Sequence, residues 1–175
     1  MKIGIVGDTH GSKKAFAIIS KVFKDVQMLF HTGDHWQDAV YLEQIMGIPV
    51  ITVKGNCDRA VRENELLLTV ENKRFFLTHG HLYEVKYGLT SLQFRAEELG
   101  AEYCLFGHTH SPMILENNGI WFLNPGSLTW PRGKETYAGI IMEYKKNCFE
   151  SSFMCRFVKQ VGHDAKQDKI AENYN

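Results

Sequence analysis

The hydrophobic and polar positions of this chain follow a different pattern in each half. In the first half, short apolar runs rich in β-branched residues alternate with stretches of helical periodicity, such as residues 15–23, which Ser12 is placed to cap. The predicted strands are 2–6, 28–31 and 49–53, and the predicted helices are 15–23 and about 38–46. Strands that alternate with helices in this way indicate an α/β arrangement with parallel strands.

The second half is predicted to be mostly β-structure. Turn-forming residues separate pairs of apolar runs at Glu71-Asn72-Lys73, Asn117-Asn118-Gly119 and Lys145-Lys146-Asn147, which indicates hairpins. The predicted strands are 66–70, 74–78, 103–106, 113–116, 120–123, 137–144 and 148–158, with one helix at 90–99 that ends before Gly100. Because the apolar runs of the first half need cover on both faces, we expect two stacked mixed sheets with helices on their outer faces.

Length and composition fit one domain. The chain has 175 residues, of which 44% are hydrophobic, and this is enough for a sizeable core. We expect the domain to span residues 1–160 without an internal linker. Residues 161–175 are polar and largely lack periodicity, so they are predicted to form a flexible C-terminal tail in which His163 is a surface residue.

The balance of charges and the positions of the cysteines limit the binding partners and the cellular location that the sequence allows. Twenty basic and twenty acidic residues cancel, which argues against a nucleic-acid or anionic-membrane binder. The first apolar run is too short for a signal peptide, and no run approaches the roughly 18 apolar residues of a membrane span. The cysteines form no CxxC pair and no disulfide pattern, which indicates reduced thiols in a soluble, cytoplasmic protein. They are Cys57, Cys104, Cys148 and Cys155.

Side chains that bind metals recur directly after predicted strands. Because ligands bind at the carboxyl ends of strands in α/β sheets, residues from five such loops can converge there. The candidates are Asp8, His10, Asp34, Asn56, His79, His108 and His110. A glycine lies beside each block, and we expect it to turn the chain sharply and to leave room for an ion. These glycines are Gly7, Gly33, Gly55, Gly80 and Gly107.

The chemistry of the seven candidates predicts a two-metal site. Carboxylate, amide oxygen and imidazole together suit Mn²⁺, Fe²⁺, Ni²⁺ or Zn²⁺ better than Ca²⁺, which favours a shell made of oxygens. Seven ligands exceed what one open catalytic ion needs. One shared carboxylate would give each of two ions four protein ligands.

Five short blocks, in sequential order, resemble those of a known family. They are Gly7-Asp8-Thr9-His10, Gly33-Asp34, Gly55-Asn56-Cys57-Asp58, His79-Gly80-His81 and Gly107-His108-Thr109-His110. They look like the blocks of the calcineurin-like metallophosphoesterases, and the chain is most similar, over roughly residues 1–160, to their small bacterial and archaeal phosphodiesterase branch. The resemblance implies a four-layer α/β/β/α sandwich. It also implies a first metal on Asp8, His10 and His110, a second on Asn56, His79 and His108, and Asp34 as the bridge between them.

The resemblance further implies a phosphodiesterase that acts on a small phosphoester. The expected cofactors are two divalent ions, Mn²⁺ by preference, with Ni²⁺, Fe²⁺, Zn²⁺ or Mg²⁺ as alternatives. Two ions about 4 Å apart would deprotonate a bridging water, and the resulting hydroxide would attack phosphorus in line. Neither a nucleic acid nor a membrane is expected as a partner, and a homo-oligomer is compatible with the sequence.

The third block departs from the family pattern at Cys57. Many relatives have a histidine there, which protonates the leaving group while the next residue, an aspartate, orients it. A thiol is a poor general acid, since its reference pKa is about 8.5 and its hydrogen bonds are weak. We therefore expect a preference for activated leaving groups, or a proton from water or another residue. His81 is a candidate donor or orients a ligand, and Asp58 keeps an orienting role. The candidate catalytic residues are Asp34, Asn56, Asp58 and His81.

Two other functions stay open. One is a non-catalytic protein-binding scaffold on the same fold, as in the retromer subunit that resembles this family but has lost metal-site residues. The other is a regulatory metal or nucleotide sensor. All seven candidate positions carry side chains that can bind metals, which favours the enzyme. Of the remaining features, Asn124-Pro125-Gly126-Ser127 is interpreted as a turn near the pocket, Arg59 and Arg132 as candidate phosphate contacts, and Trp36, Trp121 and Trp130 as packing residues.

Overall fold

Two five-stranded β-sheets lie at the centre of the computed structural model, which describes residues 1–59, 62–133, 135–146 and 151–159. Within those ranges the strands are β1 (Lys2–Val6), β2 (Met28–His31), β3 (Val50–Thr52), β4 (Glu65–Val70), β5 (Lys73–Thr78), β6 (Tyr103–Leu105), β7 (Met113–Asn117), β8 (Ile120–Asn124), β9 (Tyr137–Lys146) and β10 (Ser151–Lys159). The helices there are α1 (Lys13–Val22), α2 (Trp36–Met46) and α3 (Thr90–Glu98), with a short 3₁₀ helix at His81–Tyr83.

The first sheet contains the parallel strands predicted for the first half of the chain. Its order is β10-β9-β1-β2-β3. β1 pairs in parallel with β2, and β2 in parallel with β3, whereas β9 runs antiparallel to β1. Because β1, β2 and β3 point the same way, the loops that follow them leave the sheet at one edge.

The second sheet has the order β4-β5-β6-β8-β7. Its central strands β5, β6 and β8 are parallel, and each outer strand forms an antiparallel hairpin with its neighbour. The loops after β5 and β6 therefore also leave at a common edge. Two of the five blocks that carry candidate metal ligands lie in these loops.

Two hairpin turns are tighter than predicted. β4 and β5 are joined by Glu71–Asn72, and β7 and β8 by Asn118–Gly119, so that Lys73 and Asn117 belong to strands. All four turn residues have positive φ, between 51° and 77°. Two-residue hairpin turns need this geometry because it matches the twist of the flanking strands.

Three buried apolar clusters join the structure into four layers. Between the sheets, Phe75 stacks on Phe30 and on Tyr103, with ring centroids 5.7 and 4.8 Å apart. A second cluster packs α1 and α2 on the first sheet through residues such as Ile19, and a third packs α3 on the second sheet through Leu92. Both of these side chains are fully buried. The predicted α/β/β/α arrangement of two mixed sheets flanked by helices is confirmed.

Some sequence-based boundaries change, and others are not tested. α2 begins at Trp36, two residues before the predicted start. The predicted strand at 148–158 is described from Ser151, and its first residues lie outside the described ranges, as do His163 and the predicted tail. The domain boundaries stay predictions. Among the described residues, no helix combines the length and the apolar content that crossing a membrane requires.

Candidate metal centre

All seven predicted metal ligands meet at one end of the sandwich. The loops after β1, β2 and β3 of the first sheet and after β5 and β6 of the second bring them together, as expected for carboxyl ends of parallel strands. In chain order they are Asp8, His10, Asp34, Asn56, His79, His108 and His110. They form two groups, and Asp34 contacts both.

The first group surrounds the β1 loop. Asp8, His10, Asp34 and His110 each offer one ligand atom, and these four atoms lie within 4.8 Å of one another. Nε2 of His110 is 3.3 Å from Oδ1 of Asp8 and 3.4 Å from Nε2 of His10. Nε2 of His10 lies 4.0 Å from Oδ2 of Asp34. Such a cluster of carboxylate and imidazole atoms has the composition of a divalent-metal site.

The second group lies on the other side of Asp34. Nε2 of His79 is 3.1 Å from Oδ1 of Asn56 and 3.4 Å from Oδ1 of Asp34. The ring of His108 lies 5.1 Å from that of His79, centroid to centroid. Oδ1 of Asp34 therefore points to the second group and Oδ2 to the first. A carboxylate in this position can serve both groups at once.

The hydrogen bonds of two histidines suit a cation within each ligand group. A carbonyl oxygen can only accept, so Nδ1 of His79, 2.9 Å from the carbonyl oxygen of Thr32, must donate. Nδ1 of His110 donates in the same way to the carbonyl oxygen of Trp130 at 2.9 Å. In the neutral rings both Nε2 atoms then carry lone pairs directed at other acceptors. Metal-binding histidines are oriented in this manner by their second nitrogen.

One buried oxygen leads to the same conclusion. Asp8 is fully buried, and its Oδ1 accepts no hydrogen bond within the described part of the chain. Leaving a buried carboxylate oxygen without a partner costs free energy, because the charge has lost its hydration. A divalent cation between Asp8 and His110 would satisfy it.

The pKa shifts of three ligands suit metal binding at neutral pH, whereas the hydrogen bond with Asp8 raises the pKa of His110, so a metal there would displace a proton. Burial lowers the pKa of His10, and burial together with the nearby His79 lowers that of His108 to about 4, so both rings are neutral. Burial alone would raise the pKa of Asp34, but His79 and the backbone N–H of Cys57 outweigh it and lower the pKa. Neutral imidazoles and an ionised carboxylate are the forms that coordinate metals.

The backbone of the ligands themselves is unusual. Five of the seven have positive φ, between 48° and 67°, a conformation that non-glycine residues rarely adopt: Asp8, His10, Asp34, His108 and His110. Clusters of such residues are typical of functional sites, where the surroundings hold the strain. The glycines beside them are expected to turn the chain and to leave room: Gly33 and Gly80 have positive φ of 98° and 96°, whereas Gly55 and Gly107 leave room for a ligand carboxylate. A Cβ would lie 2.0 Å from Oδ1 of Asp34 at Gly55, and 2.7 Å from Oδ2 of Asp8 at Gly107.

The part of the chain that contains the seven candidate ligands matches a known protein family. The sequence model of the calcineurin-like phosphoesterase superfamily domain matches residues 1–147, a range that includes all seven side chains. The chain belongs to this superfamily. The resemblance to this family, based on five short blocks, is thereby confirmed, and the family together with the names of its relatives supports a metal-dependent phosphoesterase.

Two relatives within the superfamily match most of the chain. The protein named "Probable metallophosphoesterase YsnB" from Bacillus subtilis strain 168 is 34% identical over 168 residues, which cover 94% of each chain. The phosphodiesterase YfcE from Escherichia coli K12 is 30% identical over 162 residues, which cover 76% of this chain and 82% of YfcE.

Two solved structures share the fold. A predicted phosphoesterase from Streptococcus pneumoniae TIGR4 matches with a TM-score of 0.73 and 28% identity, over 90% of this chain and 88% of the other. Wild-type Vps29 from Entamoeba histolytica, solved with Zn²⁺, matches with a TM-score of 0.68 and 21% identity, over 90% of this chain and 98% of Vps29. At that identity the likeness to Vps29 concerns the fold alone.

Asp58 joins two loops of this phosphoesterase. Its Oδ1 accepts the backbone N–H groups of His35 and Trp36 at 2.9 and 3.1 Å, and its Oδ2 accepts that of Gly55 at 2.8 Å. His35 and Trp36 form the start of α2, where no side chain of the helix itself caps the free N–H groups. Asp58 therefore caps α2 from another loop and fixes the position of the block that holds Asn56.

The loop after β8 contributes contacts that the sequence did not predict. Nδ2 of Asn124 donates to the carbonyl oxygen of Gly107 at 3.0 Å. The hydroxyl of Ser127 donates to the carbonyl oxygen of Asp8 at 2.7 Å, and that of Thr129 to the carbonyl oxygen of Thr9 at 2.8 Å. These bonds link the loops after β1 and β6, which both supply ligands to the first group. The Asn-Pro-Gly-Ser turn was noticed in the sequence, but nothing there revealed its partners.

The tryptophans and arginines near the site differ in exposure. Trp130 is 58% exposed, and its ring centroid lies 4.1 Å from that of His10, so it packs at the rim of the site. Trp36 packs under the guanidinium of Arg62, which lies 4.1 Å from its ring centroid. Arg59 and Arg132 are exposed, and their contacts with phosphate stay predictions.

We expect the buried His31 to make the free energy of unfolding depend on pH. It is fully buried, and burial lowers its pKa to about 4. In the unfolded chain its pKa is about 6.5, so between these values the unfolded state binds more protons and the free energy of unfolding falls as the pH falls. We expect a loss on the order of 2–3 kcal/mol for the metal-free protein between pH 7 and pH 4.5, measured by urea unfolding. The His31→Asn variant should lose less over this range, and an equal loss would contradict the assignment.

Proposed function

We propose that the protein is a dinuclear metal-dependent phosphodiesterase. The observation that supports this best is the position of Asp34, whose two carboxylate oxygens point to two separate groups of ligand atoms. In this proposal Asp8, His10 and His110 hold the first ion, Asn56, His79 and His108 hold the second, and Asp34 bridges them. The relative YfcE is named a phosphodiesterase, which favours a diester as the substrate.

The donor set favours Mn²⁺, with Ni²⁺, Fe²⁺, Zn²⁺ or Mg²⁺ as alternatives. When bound, two such ions would activate a water molecule as the nucleophile and neutralise the charge that builds up on the phosphoryl oxygens. The residues of the chain orient this reaction. The backbone N–H of Cys57 donates to Oδ1 of Asp34 at 3.0 Å and fixes the position of the bridging carboxylate. Asp58 fixes the loop of Asn56.

The proton donor to the leaving group has two candidate sources, His81 and water. The ring of His81 lies 5.3 Å from that of His79 and 6.1 Å from that of His108, and its Nδ1 is buried without a hydrogen bond to any described residue. The thiol of Cys57 suits the task badly, because partial burial and the neighbouring Asp34 raise its pKa to about 11. The same raised pKa argues against Cys57 as a nucleophile.

A direct assay tests the proposal. The purified protein, loaded with Mn²⁺, should hydrolyse a chromogenic aryl phosphodiester well above the rate in buffer. Product release that requires the metal and increases with protein concentration would support the enzyme. A metal-loaded protein without turnover on aryl diesters or monoesters would instead favour the scaffold function, for which the similarity in fold to Vps29 is the specific observation.

The Cys57→His substitution tests the role of the third block. A histidine there has a pKa near neutrality and is a competent general acid, so we expect a gain of about tenfold or more in kcat for alkyl phosphodiesters. Aryl esters should gain less, because their leaving groups need little protonation. Steady-state kinetics on matched alkyl and aryl diesters gives both values, with Cys57→Ala as the control. An equal gain on both substrates would show that position 57 does not limit protonation.

We also propose that the protein is cytoplasmic and that it forms a homo-oligomer. The location rests on the scattered cysteines, of which Cys104 is fully buried in the core and Cys57 lies exposed at the site. Size-exclusion chromatography with light scattering would determine the oligomeric state.

A further inference from the structure

A buried hydrogen-bonded network lies directly beneath the first ligand group. Its members are Asp38 on α2, Thr9 in the β1 loop and His31 at the end of β2, and all three are at least nine-tenths buried. The oxygen of Thr9 is 2.6 Å from Oδ2 of Asp38 and 2.9 Å from Nε2 of His31. Neither Asp38 nor His31 belongs to the seven candidate ligands.

The direction of each hydrogen bond in the network is determined. The backbone N–H of Gly33 can only donate, and it lies 3.3 Å from Nδ1 of His31, which must therefore accept. The neutral His31 ring then carries its proton on Nε2 and donates it to the hydroxyl oxygen of Thr9. The hydroxyl proton of Thr9 is left to donate to Asp38, whose carboxylate can only accept when it is ionised. Every member is satisfied, which gives the network a single arrangement.

The network ends on the strained part of the β1 loop. Thr9 stands between two proposed ligands, Asp8 and His10, whose φ angles are 49° and 48°. Oδ2 of Asp38 also accepts the backbone N–H of Gly11 at 2.7 Å. A single carboxylate oxygen thus binds the residue before His10 and the residue after it. This contact offsets the cost of holding the loop in an unfavourable backbone conformation.

We propose that Asp38, acting through Thr9, is the positioning residue that sets the geometry of the first metal site and leaves the second unaffected. This inference rests on the proposed dinuclear function. The selectivity follows from the contacts, because Asp38 binds the loop of Asp8 and His10, whereas Asp58 binds the loop of Asn56. Each half of the centre therefore has its own buried or half-buried carboxylate that contacts backbone and hydroxyl groups rather than the ion.

The test uses two backgrounds that each retain one metal site. Asn56→Ala removes a ligand of the second ion, and His110→Ala removes a ligand of the first. Binding of Mn²⁺ to the metal-free proteins is measured by isothermal titration calorimetry at one pH. In the Asn56→Ala background, Asp38→Ala should weaken binding by about 10- to 100-fold, the usual effect of losing a group that orients ligands. In the His110→Ala background it should change the affinity by no more than about twofold.

Further variants separate positioning from general damage. Thr9→Val removes the hydroxyl without changing the shape of the side chain and should reproduce the effect of Asp38→Ala, whereas Thr9→Ser should restore binding. If Asp38→Ala does not fold, as judged by circular dichroism, the two Thr9 variants provide the same test. The exposed Asp25, changed to asparagine, is the matched control and should leave the affinity unchanged.

Three results would overturn the inference: equal weakening in both backgrounds, no weakening in either, or a Thr9→Ser variant that behaves like Thr9→Val. A wild-type protein that binds only one Mn²⁺ would contradict the dinuclear function instead. In that case the Asn56→Ala pair still decides the role of Asp38 if Asn56→Ala retains the single ion, whereas loss of that ion in Asn56→Ala would remove the first site and overturn the inference as well.

Discussion

The Asp34→Ala variant is expected to lose at least about 10³-fold in kcat/KM for an aryl phosphodiester. The carboxylate of Asp34 reaches ligand atoms of both groups, with Oδ1 at 3.4 Å from Nε2 of His79 and Oδ2 at 4.0 Å from Nε2 of His10. Its removal separates the two halves of the centre, and each ion would lose several kcal/mol of transition-state stabilisation. Steady-state kinetics at saturating Mn²⁺ provides the measurement.

A matched control distinguishes the site from a general effect of removing a charge. Asp25→Asn removes an exposed carboxylate that precedes β2, whereas Asp34 follows the other end of that strand, and it should retain wild-type kinetics. Circular dichroism should show that the Asp34→Ala variant is folded. If this variant kept more than about a tenth of the activity, the bridge would be assigned to the wrong residue.

Removal of divalent metals should abolish the activity and lower the stability. Without a cation, Nε2 of His79 is directed at the amide oxygen of Asn56, and Oδ1 of Asp8 has a partner only when Nε2 of His110 carries a proton. A ligand that binds only the folded state at 100 times its Kd adds about 2.7 kcal/mol, which for a chain of this size raises the Tm by roughly 5–10 °C. Chelation followed by dialysis, then activity and thermal unfolding with and without added Mn²⁺, gives both readouts.

Mg²⁺ and Ca²⁺ are the controls for the identity of the metal ion. Mg²⁺ and Ca²⁺ should restore less than Mn²⁺, since the site contains four imidazoles, and these hard ions favour oxygen ligands. A chelated protein that kept both its activity and its Tm would show that the cluster binds no functional metal.

The sequence allowed much of the fold to be predicted, because the pattern of apolar residues was regular. The strand-helix alternation of the first half and the turn residues of the second led to two mixed sheets flanked by helices. The hairpin turns were predicted one residue too long at Lys73 and at Asn117, since residue types alone do not show where cross-strand pairing stops. The 3₁₀ helix at His81–Tyr83 was not predicted, and one turn is too short to leave a periodic signal.

The seven candidate ligands could be predicted because metal-binding side chains followed one strand after another. The residues that hold these ligands in position could not be predicted. Asp38 looks like an ordinary residue in the first turn of a helix, and Asn124 and Ser127 look like turn residues. Their roles depend on contacts across the sandwich, such as the 2.7 Å bond from the Ser127 hydroxyl to the carbonyl oxygen of Asp8, 119 positions away.

The glycines illustrate the same limit. They are expected to turn the chain and to leave room beside the ligands; Gly33 and Gly80 do have positive φ, but five ligands also adopt positive φ themselves. Gly55 and Gly107 are required for the absence of a side chain rather than for backbone flexibility, because a carboxylate lies where a Cβ would be. Only the packing of one loop against another reveals which property of glycine is used.

The number of divalent ions bound per chain tests the central claim most directly. Metal-free wild-type protein should bind two Mn²⁺ in a calorimetric titration, and both His110→Ala and Asn56→Ala should reduce this to one. Asp34→Ala should weaken both binding events, because both ions share its carboxylate. Binding of one ion by the wild type, or an Asp34→Ala variant that still binds two ions with unchanged affinity, would contradict a dinuclear centre bridged by Asp34.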